Sequence, residues 1–107
     1  EWCAAFVNAV LADSGMINLH DMDHAQPLTA RSFLDWGEPV EKPLPGDIVI
    51  FPRGTQGWQG HVGFYVGWQQ NEKGHVFWKI LGGNQKDSVS IDLYPSTKAL
   101  GVRRYKY

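Results

Sequence analysis

The hydrophobic periodicity of this chain changes once along its length, and this change limits the folds that it can adopt. At the N-terminus, apolar side chains recur at the helical spacing i, i+3, i+4, i+7 and i+8, and they are Cys3, Phe6, Val7, Val10 and Leu11. After the proline-rich stretch "EPVEKPLPGD", apolar residues alternate or form short β-branched runs, which is the pattern of strands. This order predicts an α+β domain, in which the helix packs on a mostly antiparallel sheet of about five strands.

Five segments carry the strand pattern. They are residues 47–51, 61–68, 75–81, 89–93 and 101–107. The turn sequence "NEKG" joins the second segment to the third and predicts a hairpin. Before the strands, "TARSFLDWG" predicts a short second helix, and the polar residues 16–28 predict a loop. The basic tail "RRYKY" is interpreted as an exposed edge strand, where charge discourages aggregation.

Alternation in the second strand segment predicts which side chains share a face of the sheet. One face is expected to hold Val62, Phe64, Val66 and Trp68. The other face is expected to hold His61, Gly63, Tyr65 and Gly67.

Length and charge narrow the classes of protein that fit. A chain of 107 residues, 43% of them hydrophobic and 13% aromatic, is typical of one globular domain. The net charge of −1, with no basic stripe, argues against nucleic-acid binding, and no apolar run reaches the roughly 20 residues that span a bilayer. We expect a monomer spanning residues 1–107. Because the chain has no initiator Met and no visible export signal, we also expect that upstream sequence is missing.

Cys3 is the single cysteine of the chain, and it lies at the predicted start of the first helix. Unpaired N–H groups and the positive end of the helix dipole favour a thiolate there, and the same N–H groups can stabilise an oxyanion. The alternative is a small apolar side chain in the core, which is the commoner role of a buried cysteine. The residues alone leave both roles open.

His61 is the best candidate for a base beside that thiol. It begins the most strongly patterned strand, and Gly60 and Gly63 leave space beside its imidazole. The other histidines lie in the polar stretch "HDMDH" or at a hairpin end. A catalytic base is usually oriented by an acceptor at its second ring nitrogen, and "LGGNQ" offers the amides of Asn84 and Gln85. Asn84 also fits a plain turn residue after two glycines.

Four ordered blocks, "WCAAFVNAVLADSG", "PGDIVIF", "GHVGFYVG" and "LGGNQ", resemble the NlpC-like and CHAP cell-wall amidases and peptidases. The resemblance runs from Trp2 to about Arg104 and is strongest to a small bacterial and phage subfamily with the "LGGNQ" form. It implies a papain-like fold, in which the first helix carries the nucleophile, and hydrolysis of an amide bond in peptidoglycan without a cofactor.

The same resemblance assigns roles to individual residues. It implies that Cys3 is the nucleophile, His61 the general base and later acid, and Asn84 the amide that orients the imidazole. Many CHAP domains carry a glutamate two residues before this amide, where the present chain has Gly82, so Gln85 is an alternative third residue. Asp47, in "PGD", matches a family turn element that is structural.

Substrate contacts are expected at Trp2, Trp58 and Gly60. Trp58 belongs to the glycine-rich stretch "RGTQGWQG" just before His61. Papain-like enzymes usually draw one oxyanion donor from upstream of the nucleophile, but only two residues precede Cys3 here. The N–H groups near Cys3 or a missing upstream segment would then complete the oxyanion hole.

Several functions remain compatible with the sequence. The enzyme would be a stem-peptide endopeptidase or an N-acetylmuramoyl-L-alanine amidase, and the rival is an inactive wall-binding or interaction module of the same fold. A metal hydrolase would need His20 and His24 as ligands, but a solvated loop fits these residues better, and no metal site is expected. The expected partner is a peptidoglycan peptide, with an inhibitory immunity protein if the domain is a toxin. The expected location is the cell wall, reached by secretion, in the periplasm or by phage delivery.

Overall fold

The computed structural model describes residues 2–15, 29–53, 60–83 and 88–105. Within these ranges the elements are one helix, α1 (Trp2–Asp13), two 3₁₀ helices (Arg31–Asp35 and Ser96–Lys98) and six strands, β1 (Glu38–Pro39), β2 (Ile48–Pro52), β3 (Gly60–Gln70), β4 (Val76–Gly83), β5 (Val89–Pro95) and β6 (Gly101–Arg104). The strands form one antiparallel sheet in the order β1-β6-β2-β3-β4-β5. The α+β class predicted from the periodicity is therefore confirmed.

Helix α1 buries the apolar stripe that the sequence predicts. Cys3, Val7 and Leu11 are at most 2% exposed, and Phe6 and Val10 pack partly buried beside them. The helix is followed by Gly15, which adopts a left-handed φ of 74° and donates its N–H to the Ala12 carbonyl at 3.1 Å. Glycine takes this conformation without steric cost, so the predicted stop signal is confirmed.

The sheet separates two hydrophobic clusters. The helix face, which packs against α1, holds Ile48, Ile50, Val62 and Phe64. The opposite face holds Val49, Phe51, Tyr65, Ile80 and Val102. Successive residues of β2 and β3 thus point to different sides of the sheet, as strand geometry requires.

The alternation predicted along β3 holds only for its first half. The register with β4 shifts between Tyr65 and Gly67, and Trp68 then lies opposite Trp78. A bulge of this kind adds one residue to one strand and reverses the facing of the residues that follow. Trp68 thus lies on the face of Trp78 and not on that of Val62 and Phe64, so the predicted facing of Trp68 is wrong, and Val66 is 38% and Trp68 58% exposed.

The basic composition of the C-terminal strand predicted an exposed edge strand, and this prediction is wrong. β6 lies between β2 and the two-residue β1, which the sequence did not predict. Arg104 at its end donates to both carboxylate oxygens of buried Asp47 at 2.8 and 2.7 Å. The same carboxylate accepts the Leu44 N–H at 2.8 Å, which agrees with the structural role predicted for Asp47.

The second predicted helix is a single 3₁₀ element, Arg31–Asp35, which contributes buried Phe33 to the core under α1. None of the helices in the described ranges is long and apolar enough to cross a membrane. The predicted loop at 16–28 lies outside the described residues.

The sheet curls toward the face that points away from α1. Tyr94 of β5 stacks on Phe51 of β2 with ring centroids 4.6 Å apart, although β3 and β4 lie between these strands in the sheet order. β5 thereby turns Tyr94 inward, while Val89, Ile91 and Leu93 remain about half exposed. This curvature brings side chains from distant parts of the sequence together around His61.

Candidate active site

Cys3 is the second residue of α1, and its free thiol is buried on the helix face at 2% exposure. The first turn of a helix leaves N–H groups without intrahelical acceptors. Cys3 therefore lies where an oxyanion formed at a carbonyl under attack can be stabilised by backbone donors. Both predicted features of Cys3, burial and a place in the first helical turn, are present.

His61 is the second residue of β3, and its imidazole is 6% exposed on the opposite face. The ring stacks on that of Tyr94, with centroids 5.1 Å apart and planes inclined by 23°. Phe51, the cross-strand neighbour of His61 on β2, stacks on the same Tyr94 ring. The imidazole is thus held by aromatic packing between β2, β3 and β5.

Arg53 determines the tautomer of this imidazole. Its Nη2 lies 2.9 Å from His61 Nδ1. A guanidinium can only donate hydrogen bonds, so Nδ1 accepts and carries no proton. The proton of the neutral ring is therefore on Nε2, and in this state neither ring nitrogen is free to accept another proton.

The surroundings of His61 also favour its neutral form. Burial is the main cause that lowers its pKa, followed by the positive charge of Arg53, and Asp92 opposes both with its negative charge. The resulting pKa is about 4, compared with an ordinary value of 6.5. At neutral pH the imidazole is uncharged.

The pKa of Tyr94 reflects the charged groups around the site. Burial raises the pKa of Tyr94, the charges of Asp92 and Cys3 raise it further, and Arg53 lowers it by its charge and by a hydrogen bond to the hydroxyl. A charge on Cys3 is therefore felt at the hydroxyl of the side chain that stacks on His61. Arg53 contacts both Tyr94 and the imidazole.

Cys3 and His61 lie on different faces of the sheet. Cys3 packs with Val62 on the helix face, whereas His61, the residue before Val62, points to the opposite face. Within the described ranges, no hydrogen bond joins Cys3 Sγ to the imidazole. The structure thus brings His61 together with Arg53, Tyr94 and Asp92, and places Cys3 within electrostatic reach of Tyr94.

Position 82 faces the second nitrogen of the imidazole. A Cβ built on Gly82 would lie 3.5 Å from both Cε1 and Nε2 of His61. A side chain at this position would thus start beside the ring. Ser90, the cross-strand partner of Gly82, donates to Asp92 Oδ2 at 2.9 Å.

Of the predicted substrate contacts, only Gly60 can be described. A Cβ on Gly60 would lie 2.8 Å from Arg31 Cγ and 3.2 Å from the Phe51 carbonyl, so packing within the chain already requires glycine there. Substrate contact at Gly60 stays a prediction. The other predicted site residues lie outside the description: they are Asn84, Gln85, Trp58, His20, His24 and the side chain of Trp2.

Three site residues were missed at the sequence level, namely Arg53, Asp92 and Tyr94. A weak signal was present, since Ser90, Asp92 and Tyr94 alternate with apolar residues in "VSIDLYP" and so share one face of β5. Nothing in the sequence indicated that this face packs against His61. In the described part of the chain, no group of three or more His, Cys, Asp or Glu residues is placed to hold a metal ion.

A thiol in the first turn of a helix and a neutral, oriented histidine on a strand are the two residue types that cysteine hydrolases use for acyl transfer. Comparison with family models makes the class specific, because the CHAP domain matches residues 1–84. The chain belongs to the CHAP domain family, which confirms the resemblance noted from the sequence blocks. A comparison with curated proteins finds no match.

CHAP domains are in general amidohydrolases that depend on a cysteine and a histidine, and they act on peptidoglycan. The matched region contains Cys3, His61 and Gly82, and it ends before β5 begins. Asp92 and Tyr94 are therefore contributed by a part of the fold beyond the family match.

Proposed function

We propose that this domain hydrolyses an amide bond of peptidoglycan on a papain-like fold, with Cys3 as nucleophile and His61 as general base and acid. The observation that carries the proposal is the CHAP match over residues 1–84, which contains a cysteine in the first turn of α1 and a buried histidine at the start of β3.

The reaction follows from the properties of these groups. His61 takes the proton of the Cys3 thiol, the resulting thiolate attacks the amide carbonyl, and N–H groups of the first helical turn stabilise the oxyanion. His61 donates a proton to the leaving amine, so that a thioester remains on Cys3. Water activated by His61 then attacks the thioester, which releases the new carboxylate and restores the thiol. Asn84, or Gln85 in its place, is proposed to orient the imidazole.

The experiment is digestion of purified peptidoglycan, followed by mass spectrometry of the released muropeptides. Cys3→Ser should lower the rate at least ~1000-fold, because a serine hydroxyl cannot replace the thiolate. Ala9→Ser, at an exposed position of the same helix, is the matched control and should digest like the wild type. The masses identify whether the bond cut is in the stem peptide or between glycan and alanine.

A second function, an inactive wall-binding module, is favoured by one observation. Cys3 is buried and has no hydrogen bond to His61 within the described ranges. Under this alternative the wild type would sediment with insoluble peptidoglycan without releasing muropeptides, and Cys3→Ser would sediment equally well. Digestion that survives Cys3→Ser would contradict the proposed mechanism.

A further inference from the structure

Arg53 lies beside the candidate base and uses only part of its hydrogen-bonding capacity. Its guanidinium donates to His61 Nδ1 at 2.9 Å and to the Tyr94 hydroxyl. Both acceptors are uncharged groups at neutral pH, and in the described ranges no carboxylate lies within ion-pair distance of Arg53. The residue is exposed. Among the described residues, the positive charge of Arg53 thus has no carboxylate paired with it.

A carboxylate is the partner that this geometry suits best. The planar guanidinium pairs with a carboxylate through two parallel N–H···O bonds, and such charge-assisted bonds are about twice as strong as neutral ones. A neutral imidazole nitrogen offers one lone pair and no charge. A carboxylate that reaches Arg53 therefore competes successfully with His61 Nδ1 for the guanidinium.

We propose that Arg53 binds a carboxylate of the substrate, and that this binding releases His61 Nδ1 to accept a proton. The release half of the proposal rests on the proposed function, since it assigns His61 the role of base. The peptide stems of peptidoglycan carry free carboxylates, so the substrate class can supply the ligand. Arg53 would make the base available only when a correctly placed substrate is bound.

The release follows from proton accounting at the ring. While Arg53 donates to Nδ1, the Nε2 atom carries the proton and the ring has no free acceptor. When the carboxylate takes Arg53, Nδ1 keeps its lone pair and can accept the proton of the Cys3 thiol, giving a thiolate and an imidazolium protonated at both nitrogens. That proton later passes to the leaving amine. Asp92, which favours the protonated ring by its charge, faces the same imidazole from β5, and Tyr94 stacks on it.

The first test measures binding and the tautomer without hydrolysis. The probes are N-acetylmuramoyl-L-alanine, whose one free carboxylate is the α-carboxylate of alanine, and the matched α-amide, added to the Cys3→Ser protein labelled with 15N at histidine. The free protein should show Nε2 protonated and Nδ1 unprotonated. The acid probe should shift the Nδ1 resonance and bind at least ~10-fold more tightly than the amide. Equal binding of the two probes would overturn the proposal.

The second test replaces the residue. Arg53→Met should abolish the preference for the acid probe and raise the pKa of His61, because a positive neighbour is removed. Arg53→Lys retains the charge but not the planar fork and should keep only part of the preference. Lys73→Met, which removes an exposed cation at the β3–β4 turn, is the control and should change neither quantity. An unchanged preference in Arg53→Met would refute the carboxylate assignment.

The kinetic arm separates this proposal from the proposed function. With the wild-type thiol, Arg53→Met should raise KM at least ~10-fold for substrates that carry the carboxylate, whereas amidated substrates should be cleaved at least as fast as by the wild type. Acid-selective binding through Arg53 without any cleavage would reject the hydrolase and leave the binding site in place. Cleavage that needs Cys3 but ignores the carboxylate would reject Arg53 alone. Competition by inorganic phosphate stronger than by acetate would reject a carboxylate as the ligand.

Discussion

His61 is surrounded by groups with opposing effects on its protonation. Arg53 and burial favour the neutral ring, and Asp92 favours the imidazolium. A base with a pKa of about 4 accepts protons poorly at neutral pH. Neutralisation of Arg53 by a bound carboxylate removes one of the two causes that lower this pKa, so ligand binding would make His61 both accessible and more basic.

The depressed pKa of His61 makes a prediction for stability. Because the pKa is about 4 in the folded protein and 6.5 as its ordinary value, the unfolded chain binds more protons between these limits. The stabilisation is fully present above pH 6.5 and is lost as the pH falls toward 4. Between pH 7 and pH 4.5, the wild type should lose about 2 to 3 kcal/mol more free energy of unfolding than His61→Gln, as measured by urea denaturation.

The control for this measurement is His75→Gln, which removes an exposed histidine at the end of the β3–β4 turn. It should lose stability with pH as the wild type does. If His61→Gln and the wild type lose the same amount, His61 titrates near its ordinary value and the contact with Arg53 does not hold the ring neutral.

At the scale of elements, two glycines of β3 have different packing requirements. A Cβ on Gly63 would lie 2.4 Å from Ile80 Cγ2 and 2.8 Å from the Leu81 carbonyl, whereas a Cβ on Gly67 would meet only Lys79 Cδ at 3.7 Å. Gly63→Ala should therefore lower the free energy of unfolding by roughly 1 to 3 kcal/mol through overpacking. Gly67→Ala should leave it within about 1 kcal/mol of the wild type.

Urea midpoints of the two variants provide the measurement, and Gly67→Ala is the matched control because it changes the same residue type in the same strand. Similar midpoints for both variants would mean that β4 is not packed against Gly63 as closely as the structure shows. A loss confined to Gly63→Ala would support the register in which Phe64 lies opposite Leu81.

β5 contributes residues to this site although it lies outside the part of the chain that the family model matches. The match ends at residue 84, and β5 then adds Asp92 and Tyr94 to the surroundings of His61. A Cβ at position 82 would lie 3.5 Å from His61 Nε2. Asp92 raises the pKa of His61 by its charge, and the ring of Tyr94 stacks on the imidazole.

The whole molecule depends on its last strand. β6 separates β1 from β2, buries Val102 at 5% exposure and carries Arg104 to the Asp47 carboxylate. A chain ending at residue 99 would lose these contacts and leave the charge of Asp47 buried without its partner. It should show no cooperative thermal transition by circular dichroism, whereas a chain ending at residue 105 should melt as the full chain does.

A cooperative transition of the shorter chain, within a few degrees of the full chain, would show that β6 is dispensable and that the sheet can close on β2. The CHAP match alone, which ends at residue 84, would suggest that the C-terminal strands are additions. The position of β6 between β1 and β2 predicts instead that this strand is required for the fold.

Much of the fold was predictable because it depends on local patterns. The spacing of Cys3, Val7 and Leu11 predicted the buried stripe of α1, and the turn at residues 71–74 predicted the β3–β4 hairpin. The bulge after Tyr65 was not predictable, because bulges depend on how two strands accommodate each other and not on the composition of one. The position of β6 was mistaken for the same reason, since basic residues suit both an exposed edge and an ion pair with a buried carboxylate.

The sequence by itself determined the order of helix and strands, the facing of each apolar residue up to the bulge, and the two residues whose chemistry suggested a hydrolase. Only the tertiary structure decided what surrounds His61. Arg53 and Tyr94 are 8 and 33 residues from it along the chain, and the curl of the sheet brings β5 over β2. Periodicity specifies which face a side chain takes, because that depends on backbone geometry within one element, but which faces meet depends on packing between elements.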